Sequence, residues 1–213
     1  MRNVLFLLII ISQANAFAQV EISYLSGIGT INIVPGNPYS KGLGYTTGGI
    51  VEYPIFKEHL FIKSGLFFSG KGAYYPIYHS YDHSILGKLR ENVYYLESPI
   101  QLQFRFLSIF KLQAGIYNAV RLNTAGSEDG LDLNSFVQYN NRHDIGYIAG
   151  LNFGYKRFIF EVNYLKSIKS LGKGLKWDSG QNKYVLSNDT RFYNQNLFFT
   201  IGYKIWTGSS TKN

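Results

Sequence analysis

The chain has 213 residues, no cysteine and a formal net charge of +8. This length suits a single domain, and the absence of cysteine excludes a fold held by disulfides. Aromatic residues make up 17% of the chain and charged residues only 16%, with 22 glycines, a composition that favours β structure with tight turns.

The N-terminus has the three-part layout of a secretion signal. A short basic start precedes the apolar run 4–11, and small residues follow at A-x-A spacing, Ala16 and Ala18. We expect a signal peptide over residues 1–18 and a mature chain of 195 residues (213 minus 18) that begins at Gln19. A retained membrane anchor is the alternative, but the apolar run is far shorter than the roughly 20 residues that a spanning helix needs. No later stretch approaches that length without charge.

Behind the signal, eight segments alternate apolar and polar residues, as strands with one apolar face do. In the clearest segment, apolar Ile100, Leu102 and Phe104 alternate with polar Gln101 and Gln103. The predicted strands cover residues 20–33, 42–54, 59–73, 92–106, 110–122, 143–155, 158–168 and 191–206.

Short and long connections alternate between these segments. The second, fourth and sixth strands are followed by short turns at 55–58, 107–109 and 156–157, whereas the other connections are longer and polar. Up-and-down barrels with small periplasmic turns and larger outer loops have this order. We therefore predict an all-β fold, an eight-stranded antiparallel up-and-down transmembrane β-barrel over residues 19–206, followed by a short tail over residues 207–213. A soluble ligand-binding barrel is the alternative.

Strand parity separates an apolar face from a polar face. In the fifth predicted strand, Leu112 and Ile116 lie opposite Lys111 and Gln113. We expect the apolar face to contact lipid, because the reverse orientation costs about 2–4 kcal/mol for each basic side chain near the membrane midplane. The basic side chains concerned are Lys63, Arg105, Lys111 and Lys204.

Two strands depart from the pattern. In the first, Leu25, Ile31 and Ile33 lie on the polar face, which indicates a register change or an early exit from the membrane. In the fourth, Pro99 cannot donate to the hydrogen-bond ladder, and a closed barrel has no edge strand to accommodate it. We expect a local break of the ladder at Pro99, in the form of a bulge or bend.

Three segments resemble the PorT-type outer-membrane β-barrel family. They are residues 95–100 (Tyr-Leu-Glu-Ser-Pro-Ile), the hairpin 144–164 with its Gly-rich first strand, and residues 202–206 (Gly-Tyr-Lys-Ile-Trp). The resemblance spans most of the mature chain and implies a small outer-membrane barrel, with an accessory role in secretion or envelope assembly. Ser98 departs from the family pattern, which usually has an apolar residue there, and the tail beyond Trp206 is a second departure.

Parity also places charged side chains inside the predicted barrel. They are Glu21, Glu52, Lys63, Glu97, Arg105, Lys111, Glu161 and Lys204. Opposite charges in a narrow barrel are expected to pair across strands, and an eight-stranded barrel has just enough interior room for side chains to fill. We interpret these residues as an interior plug, and a charged gate or ion path is the alternative.

One loop contains the residue types of a hydrolytic site. Residues 79–84 include His79, Ser80, Asp82, His83 and Ser84. Catalytic triads are assembled from separate segments rather than from one loop, so we expect a solvated loop and no catalytic residue. We expect no metal site either, because His79 and His83 lie in a loop without a helical pattern and cysteine is absent. No cofactor is expected.

The last long loop is basic. Its predicted anion-binding residues are Lys169, Lys173, Lys176, Lys183 and Arg191. They favour binding of lipopolysaccharide phosphates or an acidic glycan, and a solvated hairpin extension without a specific partner is an equal alternative.

These patterns together predict a non-enzymatic outer-membrane protein, exported through the general secretory route, with a structural or surface-interaction role carried by its long loops. The alternatives are a small porin-like solute channel and an outer-membrane lipid-modifying enzyme. The expected partners are outer-membrane lipids and lipopolysaccharide, the barrel-assembly machinery, and envelope or secretion proteins. Nucleic acid is not expected, because an exported basic protein meets phosphate-bearing lipids and surface glycans instead.

Overall fold

The structure, a computed structural model, describes residues 20–34, 41–56, 59–78, 85–127, 137–138, 141–178 and 183–208. These ranges contain ten strands. In chain order they are β1 (Glu21–Val34), β2 (Lys41–Phe56), β3 (Leu60–Tyr78), β4 (Ile85–Arg105), β5 (Phe110–Ser127), β6 (Val137–Gln138), β7 (His143–Tyr155), β8 (Phe158–Ser167), β9 (Gly172–Asp178) and β10 (Lys183–Thr207). Within the same ranges, no helix has the length and apolar character needed to cross a membrane.

Eight of the ten strands form a closed antiparallel ring. They pair in the order β1-β2-β3-β4-β5-β7-β8-β10, and the pairing of β10 with β1 closes the ring. The predicted eight-stranded antiparallel barrel is therefore confirmed. The other two strands, β6 and β9, were not among the predicted segments. They pair outside the ring, where β9 forms a hairpin with the first part of β10.

Exposure alternates along the strands of the ring with the predicted parity. In β5, Leu112 and Ile116 are exposed on the outside, whereas Lys111, Gln113 and Tyr117 are buried in the lumen. Each of the other seven strands of the ring also contributes exposed apolar side chains, among them Ile28, Leu43, Leu66, Leu102, Leu151, Val162 and Ile201. An apolar belt around a polar interior suits a lipid surrounding, because the closed ring satisfies its own backbone groups.

Short and long connections alternate, as predicted. Residues 57–59, 106–109 and 156–157 join successive strands at one end of the barrel, which we call the inner end. At the opposite, outer end, β3 and β4 continue beyond their predicted limits as a ladder that reaches Tyr78↔Ile85. The predicted limits are too short there because backbone pairing outside the apolar belt does not require alternating apolar side chains.

The first strand corrects one prediction. A register change is present, but only against β10 between Ile22 and Ser23, and it does not account for the three side chains, because β1 keeps one register with β2 from Glu21↔Glu52 to Asn32↔Lys41. Its three unusual apolar side chains, those of Leu25, Ile31 and Ile33, are buried in the lumen. Leu25 packs there in a cluster with Ile50 and Phe67, and Ile31 belongs to a second cluster that includes Tyr95 and Phe198. The lumen therefore contains apolar packing as well as polar groups.

The break predicted at Pro99 is confirmed on the side of β3, but the predicted bulge is absent, and on the side of β5 the ladder continues through Pro99↔Tyr117. Residue pairs between β3 and β4 stop at Ser64↔Ile100 and resume at Phe67↔Glu97. The register is the same on both sides of the gap, so the proline interrupts the ladder without inserting a residue. The Ser64 hydroxyl donates to the Pro99 carbonyl across this gap, at 3.2 Å.

Candidate functional site in the lumen

Charged side chains in the lumen fall into two clusters. The inner cluster contains Glu52, Lys63, Lys111 and Glu161, from strand segments close to the short turns. The outer cluster contains Lys71, Glu97 and Asp144, further along β3, β4 and β7 toward the long loops. All seven residues are buried.

The Lys63–Glu161 ion pair spans the inner part of the lumen. Lys63 lies on β3 and Glu161 on β8, and these strands are four positions apart in the ring of eight. The pair therefore joins opposite walls of the barrel. A second pair, Lys111–Glu52, joins β5 to β2, three positions apart. Both ion pairs thus cross the lumen instead of lying along its wall.

Amide side chains complete the bonding of Glu161. One carboxylate oxygen accepts from Asn152 Nδ2 at 2.8 Å, and the other accepts from Asn163 Nδ2 at 3.0 Å. Gln113 Nε2 donates to Asn163 Oδ1 at 2.5 Å, while its own carbonyl accepts from Gln103 Nε2 at 2.8 Å. A buried ion pair is stable when further hydrogen bonds satisfy its remaining polar atoms, and this amide network meets that condition.

Aromatic contacts surround the basic groups near the inner end. Lys111 Nζ lies 4.3 Å from the centroid of the Phe61 ring, and Arg105 Cζ lies 4.6 Å from the same centroid. These distances are within the range of cation–π attraction. At the rim, Lys204 Nζ forms an ion pair with Glu21 at 2.9 Å.

The outer cluster is built around one lysine. Lys71 Nζ lies 2.5 Å from a Glu97 oxygen and 3.8 Å from an Asp144 oxygen. It also lies 4.7 Å from the ring centroid of Tyr95 and 5.7 Å from that of Tyr117. Lys71 therefore lies within 4 Å of two carboxylates.

Neutral donors bind the second carboxylate of the outer cluster. Asp144 Oδ1 accepts from the Ser167 hydroxyl at 2.5 Å and from the Tyr117 hydroxyl at 3.3 Å. Asp144 Oδ2 accepts from Asn194 Nδ2 at 2.7 Å. These bonds link β5, β7, β8 and β10, which are four successive strands of the ring.

The structure brings most of the predicted lumen residues together in pairs. Arg105 differs, since it lies over an aromatic ring and, within the described part of the chain, beside no carboxylate. Lys71 and Asp144 were not predicted as members of the charged set. Parity contained a signal for both, because Lys71 shares the face of Lys63 in the predicted strand 59–73 and Asp144 begins the polar face of the strand 143–155.

A small cavity separates the two clusters. Its volume is about 40 Å³, and its lining includes Lys63, Glu97, Gln101 and Glu161. A cavity needs only about 10–15 Å³ to hold one water molecule, so water fits between the clusters.

The predicted anion-binding residues lie at the outer end. Lys169 is exposed just after β8. The backbones of the others form the β9–β10 hairpin, in which Lys173 lies opposite Arg191 and Lys183 lies opposite Asp178. Lys176 is paired with Val185 in the same hairpin. The hairpin extension considered from sequence is therefore present, and anion binding by its side chains stays a prediction.

Residues 1–18 and 79–84, the predicted signal peptide and the His- and Ser-containing loop, lie outside the described residues. In the part of the chain that is described, no three His, Cys, Asp or Glu side chains gather in a group suited to a metal ion.

Known proteins share this architecture. The sequence profile described as "Outer membrane protein beta-barrel domain" matches residues 12–173. No curated protein is significantly similar to the chain in sequence. Among solved structures, the barrel is similar to a major outer membrane protein from Thermus thermophilus, with a TM-score of 0.51, 11% identity, and coverage of 87% of this chain and 99% of that one.

Two further solved barrels are similar at lower scores. They are Neisserial surface protein A (TM-score 0.47, 13% identity, 87% of this chain and 97% of that chain) and Ail, the attachment invasion locus protein of Yersinia pestis (TM-score 0.41, 14% identity, 87% and 97%).

Proposed function

The chain belongs to the outer membrane protein β-barrel domain family and lies in the outer membrane, and from this premise we propose that it is a non-enzymatic barrel with a side-chain-filled lumen. In this proposal the long connections at the outer end carry a structural or surface-interaction role. Outer-membrane barrels place their long loops outside the cell and their short turns in the periplasm. The inner end of the barrel then faces the periplasm.

The ion pair between Lys63 and Glu161 is the observation that carries the filled-lumen proposal. It joins opposite walls of the ring, and each side chain is 1% exposed. A solute passing through the lumen has to separate this pair. Separating a buried ion pair is costly, because each charge then loses its counter-charge in a low-dielectric interior.

The outer cluster supports the same proposal independently. A solute that enters from the outer end first meets Lys71 and Asp144, which are bonded to side chains from several strands. The cavity of about 40 Å³ lies beyond them, between two layers of bonded side chains. A barrel of eight strands is narrow enough for such layers to fill it.

Planar-bilayer recording tests the filled lumen against a porin-like channel. Mature protein is refolded and inserted, and an established porin under the same conditions is the positive control. We expect only the baseline current for this chain, since each open pathway requires both side-chain layers to separate. Steady openings of nanosiemens size would contradict the proposal and support the solute channel.

The bonding of Ser167 supports a non-enzymatic role. Its buried hydroxyl donates to Asp144 and accepts from the backbone nitrogen of Asn194 at 3.1 Å, so the hydroxyl is already engaged both as a hydrogen-bond donor and as an acceptor. The two histidines in the described ranges, His59 and His143, are exposed and contact a backbone carbonyl and an amide side chain. Lipid A acylation or envelope protease activity in the wild type that is lost in His83→Ala would overturn this part of the proposal.

The proposed partners are outer-membrane lipids and lipopolysaccharide, the barrel-assembly machinery, and envelope or secretion proteins. The resemblance of residues 95–100 and 202–206 to the PorT-type family supports an accessory role in secretion or envelope assembly. The basic residues of the β9–β10 hairpin support lipopolysaccharide binding, because lysine and arginine bind phosphate groups.

Lipopolysaccharide binding is tested by changing Lys173 and Lys176 of the hairpin to glutamine. We expect weaker binding of lipopolysaccharide micelles to the refolded protein, with a smaller dependence on salt. The matched control changes Lys88 and Arg90, in the part of β4 that pairs with β3 at the same end of the barrel, to glutamine. Equal losses in both variants would show that net charge alone governs the binding.

A further inference from the structure

A second cavity opens at the inner end of the lumen, beside the short turns. Its volume is about 220 Å³, and residues of the β4–β5 and β7–β8 connections contribute to its lining. Four basic residues line it: Arg105, Lys111, Lys156 and Lys204. The acidic residue in its lining is Glu52. We call this space the mouth cavity.

Positive charge exceeds negative charge around the mouth cavity. Lys111 is paired with Glu52, and Lys204 with Glu21. Arg105 and Lys156 contact aromatic rings, Phe61 and Tyr155, and neither is paired with a carboxylate of the described residues. Among the described residues, four cations against two carboxylates leave a net charge of +2 (4 − 2). Such a concentration of one sign in a low-dielectric recess attracts an anion.

The turn at Lys156 holds one of these cations at the cavity. Lys156 has φ of 55°, and it is the residue with positive φ among the described non-glycine residues. A two-residue hairpin turn requires positive φ at its first central residue, and glycine adopts this conformation at less cost. The two-residue turn thereby holds a lysine, where a glycine is easier to accommodate, at the edge of the mouth cavity.

We propose that the mouth cavity binds a small anion of the phosphate class. A phosphate monoester carries close to two negative charges near neutral pH, which matches the excess of two cations, whereas a single carboxylate neutralises only half of it. The guanidinium of Arg105 offers paired donors to phosphate oxygens, and the lysines offer single charged donors. The volume is below the roughly 300–1,000 Å³ of pockets for drug-sized ligands, so the site suits a headgroup-sized ligand.

Phosphate chemistry reaches the periplasmic side of the outer membrane from two sources. One is a phospholipid headgroup of the inner leaflet, and the other is a soluble phosphorylated solute. Two measurements on the mature refolded protein separate them. In the first, barrel in a non-ionic detergent is titrated with inorganic phosphate in a calorimeter. In the second, barrel is reconstituted in nanodiscs of phosphatidylcholine with phosphatidic acid, and the lipid retained after detergent extraction is identified.

Saturable binding of inorganic phosphate supports a soluble ligand, and selective retention of phosphatidic acid supports a headgroup. The absence of both overturns the proposal. The decisive variant combines Arg105→Gln with Lys156→Gln. Because neither residue is paired with a described carboxylate, their removal leaves no such group without its counter-charge. We expect at least about tenfold weaker binding, since one hydrogen bond to a charged group accounts for roughly that factor.

The matched control combines Arg142→Gln with Lys166→Gln, which removes the same charge from two exposed positions toward the outer end. Binding in the control should equal that of the wild type. Unchanged binding in the decisive variant, or an equal loss in the control, overturns the proposal. Heat-dependent gel mobility verifies that each variant forms the compact barrel. Arg105→Lys, with Lys156 retained, should keep most of the affinity for phosphate.

Discussion

The inner and outer clusters of the lumen balance their charges in different ways. In the inner cluster, two lysines meet two glutamates, and both ion pairs join strands that are not neighbours in the ring. In the outer cluster, Lys71 is shared between Glu97 and Asp144. Hydroxyl and amide groups bind the second of these carboxylates. Amide groups also bind Glu161 in the inner cluster. The clusters therefore differ in how cations are shared, because each inner lysine has its own carboxylate, whereas Lys71 contacts two.

This difference predicts unequal responses to the loss of one charge. Removing one partner in the inner cluster leaves a buried charge with no counter-charge in its own pair. Removing the charge of Asp144 still leaves Lys71 paired with Glu97, and an amide oxygen in place of Oδ1 still accepts from Ser167 and Tyr117, although Asn194 loses its acceptor. The inner cluster should be the more sensitive of the two.

The largest effect is expected for Glu161→Leu. The change leaves Lys63 buried without its partner and leaves the amides of Asn152 and Asn163 without an acceptor. We expect the free energy of unfolding to fall by about 3–5 kcal/mol. Urea titration of the refolded barrel in lipid vesicles, followed by tryptophan fluorescence, measures this loss.

The matched variant for the inner cluster is the double change Lys63→Met with Glu161→Leu. It removes both charges and replaces them with apolar groups, so neither partner is left as an uncompensated ion. Replacement of a complete buried pair is often close to neutral. The double variant should be more stable than Glu161→Leu alone, and a double variant that loses the sum of both single changes would show that charge pairing does not govern the inner cluster.

The next effect is expected for Asp144→Asn in the outer cluster. The substitution keeps the shape of the side chain but weakens the bonds that Ser167 and Tyr117 donate to a charged oxygen. We expect a loss of about 1.5–3 kcal/mol, the range for a hydrogen bond to a charged group. The same urea titration compares it with Glu161→Leu. A larger loss for Asp144→Asn would reverse the proposed order of the clusters.

Much of the barrel was predictable because lipid imposes a simple rule on each strand. Alternation at Ile100, Gln101 and Leu102 identifies the outward and inward sides, and the cost of a basic group in hydrocarbon then decides which side faces lipid. The same rule fails for Leu25 and Ile31, because side chains in the lumen are not required to be polar. The alternation of apolar and polar residues therefore does not predict the apolar clusters inside the barrel.

The partners inside the lumen were less predictable than its faces. Parity places Lys63 and Glu161 on the inside but does not show that their strands are opposite in the ring, since the two residues are separated by 98 positions. The pairing depends on how strand stagger aligns the two walls, which local sequence does not encode. Lys71 shows the complementary limitation, because its two acceptors come from β4 and β7 and only the folded ring brings them together.

Gly115→Ala tests how closely β4 and β5 pack at the height of the barrel between the two clusters. A methyl group at Gly115 meets the backbone of Ile100 and Gln101 at a distance that real side chains do not adopt, so β4 and β5 have to separate. Overpacking of this kind costs about 1–3 kcal/mol. The control is Gly154→Ala near the mouth cavity, where a methyl group meets nothing within 4 Å. Equal stability of the two variants would show that the strands adjust freely between the clusters.

The smallest effect is expected for the ion pair at the rim, Lys204–Glu21, because it is more exposed to solvent than the pairs inside the lumen. The Lys204 side chain is 17% exposed and that of Glu21 is 25% exposed, whereas Lys63 and Glu161 are each 1% exposed. Partly exposed ion pairs contribute about 0–1 kcal/mol and are screened by salt.

Lys204→Gln should therefore lower the free energy of unfolding by less than about 1 kcal/mol. The loss should shrink when ionic strength rises from 0.01 M to 1 M, because the Debye length decreases about tenfold. The loss in Glu161→Leu should change little over the same range, because buried pairs are screened much less. A Lys204→Gln loss that is as large and as insensitive to salt as that of Glu161→Leu would show that depth in the lumen does not separate the two kinds of ion pair.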